Sequence, residues 1–140
     1  MKNKKEINEE FWNKLDGWLS EGADKGMLSE LFLGVGTQLA ALSAGGEIMG
    51  GPNPRTTCEE YDGTSWTAGG SLSIGTGYLA GCGTQTAGLK FSGNLPSNTS
   101  NTTEEYNGTS WSSGGTLNES VSQTKGGGTL TAALRFGGET

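Results

Sequence analysis

The sequence predicts a mainly β protein built from a repeated unit and preceded by an amphipathic α-helix, on three observations. The octet at residues 59–66, EEYDGTSW, returns at residues 104–111 as EEYNGTSW. A second phrase, GVGTQLAAL at 34–42, returns as GCGTQTAGL at 81–89 and, altered, as GGGTLTAAL at 126–134. Residues 1–33 differ from both, holding five of the nine basic residues but only three of the 26 glycines. Thr37 to Glu59 is 22 residues and Thr84 to Glu104 is 20, while each octet stands 25 residues before the next phrase. A period of about 45 residues marks one supersecondary unit repeated, as in propeller blades or solenoid turns, so function is expected to lie in an assembly.

Two domains follow from this division, a helix and linker over 1–33 and a β-repeat domain over 34–140. At 100° per residue Ile7, Phe11, Leu15 and Trp18 fall within about 80° of one another, with Trp12 and Leu19 on the margin and Glu6, Glu9, Asn13 and Asp16 facing away. A helix of this length is marginal in water unless it docks. Its apolar stripe is expected to cover the end of its own repeat domain or to anchor in another subunit. Its acidic polar face disfavours a membrane surface.

Each repeat is expected to hold about four strands. Asp62-Gly63 and Asn107-Gly108 are strong signals for two-residue hairpin turns, which would set Tyr61 opposite Thr64 and Glu59 opposite Trp66. Tyr61 and Trp66 then share one face, as do Tyr106 and Trp111, and these four rings are the candidate packing residues between repeats. The second phrase, alternating small and larger residues, reads as one crowded strand near an axis. The Gly pairs after Trp66 and Trp111 read as turns into a further strand.

The chain's chemistry is sparse. With no histidine, it lacks the commonest general base and metal ligand, and an enzyme is not expected. Adjacent strand residues point to opposite faces, so Glu59-Glu60 and Glu104-Glu105 cannot converge on one substrate. Glu59 and Glu104 would instead lie on the aromatic face and accept backbone N–H groups of a neighbouring repeat. The glycine runs lack the Gly-Lys-Ser/Thr signature of a phosphate loop, and no metal spacing or cofactor motif is present. Cys58 and Cys82 fall at different repeat phases and read as small buried residues. The net charge of −6, without basic clusters, disfavours nucleic acid and anionic membranes. Neither a secretory signal nor a membrane span is expected.

Apolar residues ending in a Gly pair (LSAGG at 42–46, LRFGG at 134–138), then a Tyr and a Trp, resemble the kelch repeat, one blade of a β-propeller. The wording GTQTAGL, TEEYNGTSW and GGTLN is similar to kelch-like repeats in structural proteins of marine bacteriophages, over residues 34–140. The copies depart from the pattern at Ser92-Gly93, which replaces a Gly pair, and in a short Tyr-to-Trp interval, so a trimmed or irregular blade is expected. The resemblance implies a structural or decoration protein located in the virion, its helix attached to capsid or tail proteins. Its two full copies and partial third would be completed by other copies of the chain, a trimer first, either as a six-bladed ring or as another trimeric β-domain. The strand ending at 137–140 would then complete a blade begun elsewhere. The alternative of another class is a fibre module binding a host glycan by stacking on Trp66, Trp111 and Tyr78.

Overall fold

The computed structural model of the protein describes residues 33–47 and 54–140. The expected helix, with Ile7, Phe11, Trp12, Leu15, Trp18 and Leu19, lies outside them. Ten strands make up the described part: β1 (Leu33–Thr37), β2 (Ala40–Ala44), β3 (Cys58–Tyr61), β4 (Trp66–Ala68), β5 (Ala80–Thr84), β6 (Ala87–Phe91), β7 (Thr102–Tyr106), β8 (Trp111–Thr116), β9 (Lys125–Thr129) and β10 (Ala132–Phe136). They form two four-stranded antiparallel sheets, β1-β2-β3-β4 and β5-β6-β7-β8, and a two-stranded third sheet, β9-β10. One sequence period is therefore one sheet.

The four strands of a period are allocated differently from the sequence expectation. The second phrase is a hairpin and not a single strand, since Thr37 pairs with Ala40, Thr84 with Ala87 and Thr129 with Ala132 around two-residue turns. In the first copy the Thr37 hydroxyl accepts the N–H groups of Leu39 and Ala40, at 3.3 and 3.2 Å, and so closes the turn without glycine at its centre. The Gly pair after Trp66 opens no new strand. In the second sheet β8 runs straight through Gly114 and Gly115.

The octet hairpin also has a different register. Tyr61 pairs with Trp66 and Tyr106 with Trp111, leaving four-residue loops at 62–65 and 107–110. Asp62 Oδ1 accepts the N–H groups of Thr64 and Ser65, both at 2.8 Å, and Asn107 Oδ1 does the same for Thr109 and Ser110. Only Gly63 and Gly108 take positive φ, at 94° and 90°, where a two-residue turn would have required it of Asp62 and Asn107 too. The carboxamide and carboxylate act as caps, which their side-chain chemistry favours.

The sheets splay from a common inner margin, for β1 lies against β5 and β5 against β9. Strand alternation sends Leu42, Ala44, Cys58 and Glu60 of the first sheet toward the second, and Gly88, Lys90, Glu104 and Tyr106 of the second toward the first. Two cores result. Leu33, Leu42, Ala44, Cys58, Leu72, Leu79, Tyr106 and Trp111 fill the first junction, and Ala80, Cys82 and Phe91 the second. Both cysteines are buried and unbridged, as their small size and isolation implied.

Backbone hydrogen bonds seal the junctions. Gly46 N–H donates to Thr76 O at 2.9 Å, and Gly93 N–H to Val121 O at 3.0 Å, so each Gly pair holds the segment leading into the next sheet. The pairs adopt positive φ in all three copies: Gly45 and Gly46, Ser92 and Gly93, Gly137 and Gly138. The Ser92-Gly93 pair thus keeps the backbone conformation of the Gly pairs. Ser92 takes φ 62° despite its Cβ, fully buried, and its hydroxyl finds no partner among the described residues. A left-handed conformation costs a non-glycine residue roughly 1–2 kcal/mol, so Ser92→Gly is expected to raise stability by about 1 kcal/mol in a urea titration.

Candidate assembly interface

Within the chain, the junction between the first two sheets is a working example of how the repeats join. The Tyr106 and Trp111 rings lie 5.0 Å apart at 39°, and Tyr61 and Trp66 repeat this at 5.1 Å and 37°. Tyr106 and Trp111 are buried in the first core, whereas Trp66 is half-buried. The Tyr106 hydroxyl donates to Glu60 Oε1 of the first sheet and accepts the Gly70 N–H at 3.4 Å. Gln85, at the tip of the β5–β6 turn, donates to the carbonyls of Tyr61 and Ala41 at 2.9 and 3.3 Å, tying two strands of the first sheet to the second.

Glu104 is where the sequence placed a carboxylate acceptor. Its Oε2 accepts the Ser73 N–H of the first sheet's trailing segment at 2.8 Å, and its Oε1 stands 3.8 Å from Lys90 Nζ. The ammonium is fully buried, and that burial pushes its pKa down while Glu104 pulls it back up. Lys90 was not singled out from sequence. Its phase is held by Ser43 in the first sheet and by Arg135 in the third, where Arg135 reaches Glu119 at 3.9 Å.

Close approach of the sheets depends on glycine. A Cβ on Gly81 would stand 2.2 Å from the Leu89 carbonyl oxygen of its own sheet and 2.6 Å from Leu33 Cδ1, and one on Gly126 would stand 2.2 Å from Phe91 Cζ. Leu33 pairs with Ala44, and Ala80 pairs with Phe91. Each junction therefore has one bulky and one small residue side by side, in opposite order, above the same glycine position.

Among the described residues nothing covers the corresponding face of the third sheet. Leu134 and Phe136 are 66% and 55% exposed, whereas Leu42 and Phe91 at their phases are 0% and 2% exposed. Leu39 and Ile74 are further exposed apolar side chains on turns and connections. Among the described residues no group of His, Cys, Asp and Glu is arranged to hold a metal, and no helix is long and apolar enough to cross a membrane.

No protein-family model matches the chain, and no curated protein matches it in sequence. Among solved structures, one described as "Structure of YjhT" aligns with a TM-score of 0.66 at 15% identity, over 84% of this chain and 40% of that one. This is a likeness of fold. The chain spans well under half the length of that protein.

Burial raises the Tyr106 hydroxyl to about 12, helped by its hydrogen bond to Glu60, and burial also pushes the Cys58 and Cys82 thiols up. A raised folded pKa gives stability that is complete below the unfolded value, near 10 for tyrosine, and is lost as pH rises through about 12. Lys90, shifted the other way, opposes this only up to its unfolded value of 10.5. Urea titrations at stepped pH should therefore show stability falling from pH 10 to 12. Tyr106→Phe should be less stable at pH 8 by about 1.5 kcal/mol and lose less over that interval.

Proposed function

We propose that the protein is a non-enzymatic structural subunit whose β-repeats join with further copies of the chain, and that it serves in a bacteriophage virion as a decoration or tail component. The observation that carries the assembly part is the apolar face of the third sheet, where Leu134 and Phe136 are exposed, although the position of Phe136 is buried in both other sheets and that of Leu134 is buried in the first and half-buried in the second. Lone sheets with uncovered faces and open margins are a liability that repeat proteins resolve by adding neighbours. The virion part rests on the similarity of GTQTAGL, TEEYNGTSW and GGTLN to kelch-like phage structural repeats, and the distant structural neighbour adds nothing to it. In this reading the first 33 residues attach the subunit to capsid or tail proteins, and the repeats form a propeller-like ring.

The glycan-binding reading loses a main platform, since Trp111 is buried between sheets and cannot stack on a sugar. Quantitative peptide mass spectrometry of purified particles from a host carrying the gene tests the proposal. The chain is expected at a constant ratio to the other virion proteins, and deletion of residues 1–20 is expected to remove it from particles. Abundant chain in infected cells with none in particles would overturn the virion role.

A further inference from the structure

We propose that Asn107 modifies itself in the folded chain: the Gly108 nitrogen attacks its carboxamide, ammonia leaves, and hydrolysis of the resulting imide puts aspartate in the second octet loop, where the first already has Asp62. This site stands apart from the assembly reading above, and neither depends on the other. Asn107-Gly108 is the one Asn-Gly step in the sequence. Glycine suits the attacking position, because it has no Cβ to hinder its nitrogen and its backbone reaches conformations closed to other residues.

The hydrogen bonds of the loop fall where the reaction needs them. Tyr106 and Trp111 pair at its base, and the Asn107 N–H donates to Ser110 O at 3.2 Å. Asn107 Oδ1 accepts the N–H groups of Thr109 and Ser110, at 3.0 and 2.9 Å. These two donors draw electron density from Cγ and face the oxygen that becomes negative as the nitrogen adds, as in an oxyanion hole. Among the described residues neither the Gly108 N–H nor Asn107 Nδ2 makes a hydrogen bond, so nucleophile and leaving group are both unrestrained. Asn107 is exposed, which gives water access to the imide.

The atoms balance as in a hydrolysis. The Gly108 nitrogen bonds to Cγ, the bond from Cγ to Nδ2 breaks, and ammonia departs with the proton that the attacking nitrogen gives up. Water then opens the five-membered ring at one of its two carbonyls. Opening at Cγ restores the backbone and leaves an aspartate side chain. Opening at the main-chain carbonyl leaves isoaspartate, whose chain path is one carbon longer.

The first copy of the repeat shows that the aspartate product fits. Asp62 stands at the phase of Asn107, and its Oδ1 accepts the N–H groups of Thr64 and Ser65 at 2.8 Å each. The glycines that follow share one conformation, with φ of 94° at Gly63 and 90° at Gly108. The Ser65 and Thr64 N–H groups hold the Asp62 carboxyl below its ordinary value, so the loop favours a charged side chain. Conversion of Asn107 therefore keeps the cap, exchanges neutral hydrogen bonds for charge-assisted ones and adds one negative charge to the net −6.

Peptide mass spectrometry on the full chain, kept folded in buffer at neutral and mildly alkaline pH, tests this against a synthetic peptide of residues 101–113 in the same buffers. The segment holding Asn107 is expected to gain about 1 Da with time, at least as fast in the folded chain as in the peptide, and faster as pH rises because the attacking nitrogen must lose its proton. Asn101, whose carboxamide donates to Leu117 O at 3.2 Å, and Asn118 are expected to stay unchanged. Asn107→Gln should fold, by circular dichroism, and show no gain, while Asn107→Asp supplies the reference for the product and should match wild type in a urea titration. A folded chain that converts more slowly than the peptide would overturn the proposal, since the loop would then shield Asn107 and not assist its reaction.

Discussion

One steric constraint organises the described structure: a bulky side chain on one sheet occupies the space where the next sheet has no Cβ. Leu33 over Gly81 and Phe91 over Gly126 bring neighbouring inner strands close enough for their cores to close. Elsewhere in the junction the polar groups adjust to this distance. Tyr106 reaches Glu60, Gln85 reaches the carbonyls of Ala41 and Tyr61, and Glu104 reaches the Ser73 N–H, each across the boundary between sheets.

The constraint explains an odd composition. A chain with 26 glycines and 31% apolar residues has little side-chain volume for one large core. Flat junctions between sheets need less, because backbone and glycine fill part of the interface and dispersion contacts are short. Each junction is then a thin core sealed by backbone hydrogen bonds at the Gly pairs. Stability becomes a sum of nearest-neighbour terms, and the surface at either end of the stack has the chemistry of an interior.

Much of this was readable from the repeats. The 45-residue period gives the two four-stranded sheets, and the octet gives the paired rings of Tyr61 with Trp66 and Tyr106 with Trp111. The hairpin of the second phrase was hidden because its turns, Gln38-Leu39, Gln85-Thr86 and Leu130-Thr131, carry no Asn, Asp, Gly or Pro. The register of the octet hairpin was hidden because Asp62 and Asn107 cap a longer loop with their side chains, a role the same residue types share with short turns. Lys90 escaped notice since its phase changes from Ser43 to Lys90 to Arg135. The exchange of Leu33 and Ala44 for Ala80 and Phe91 is visible in the sequence, but it acquires meaning only when the hairpin register shows the two positions to be neighbours.

The most direct test of this constraint is a double-mutant cycle between Gly126 and Phe91, read by urea denaturation of the whole chain. Gly126→Ala alone should destabilise by about 1–3 kcal/mol through overpacking. In a Phe91→Ala background the same substitution should cost almost nothing, giving a coupling of at least about 1 kcal/mol. Effects that simply add would contradict the claim that the ring and the missing Cβ share one space.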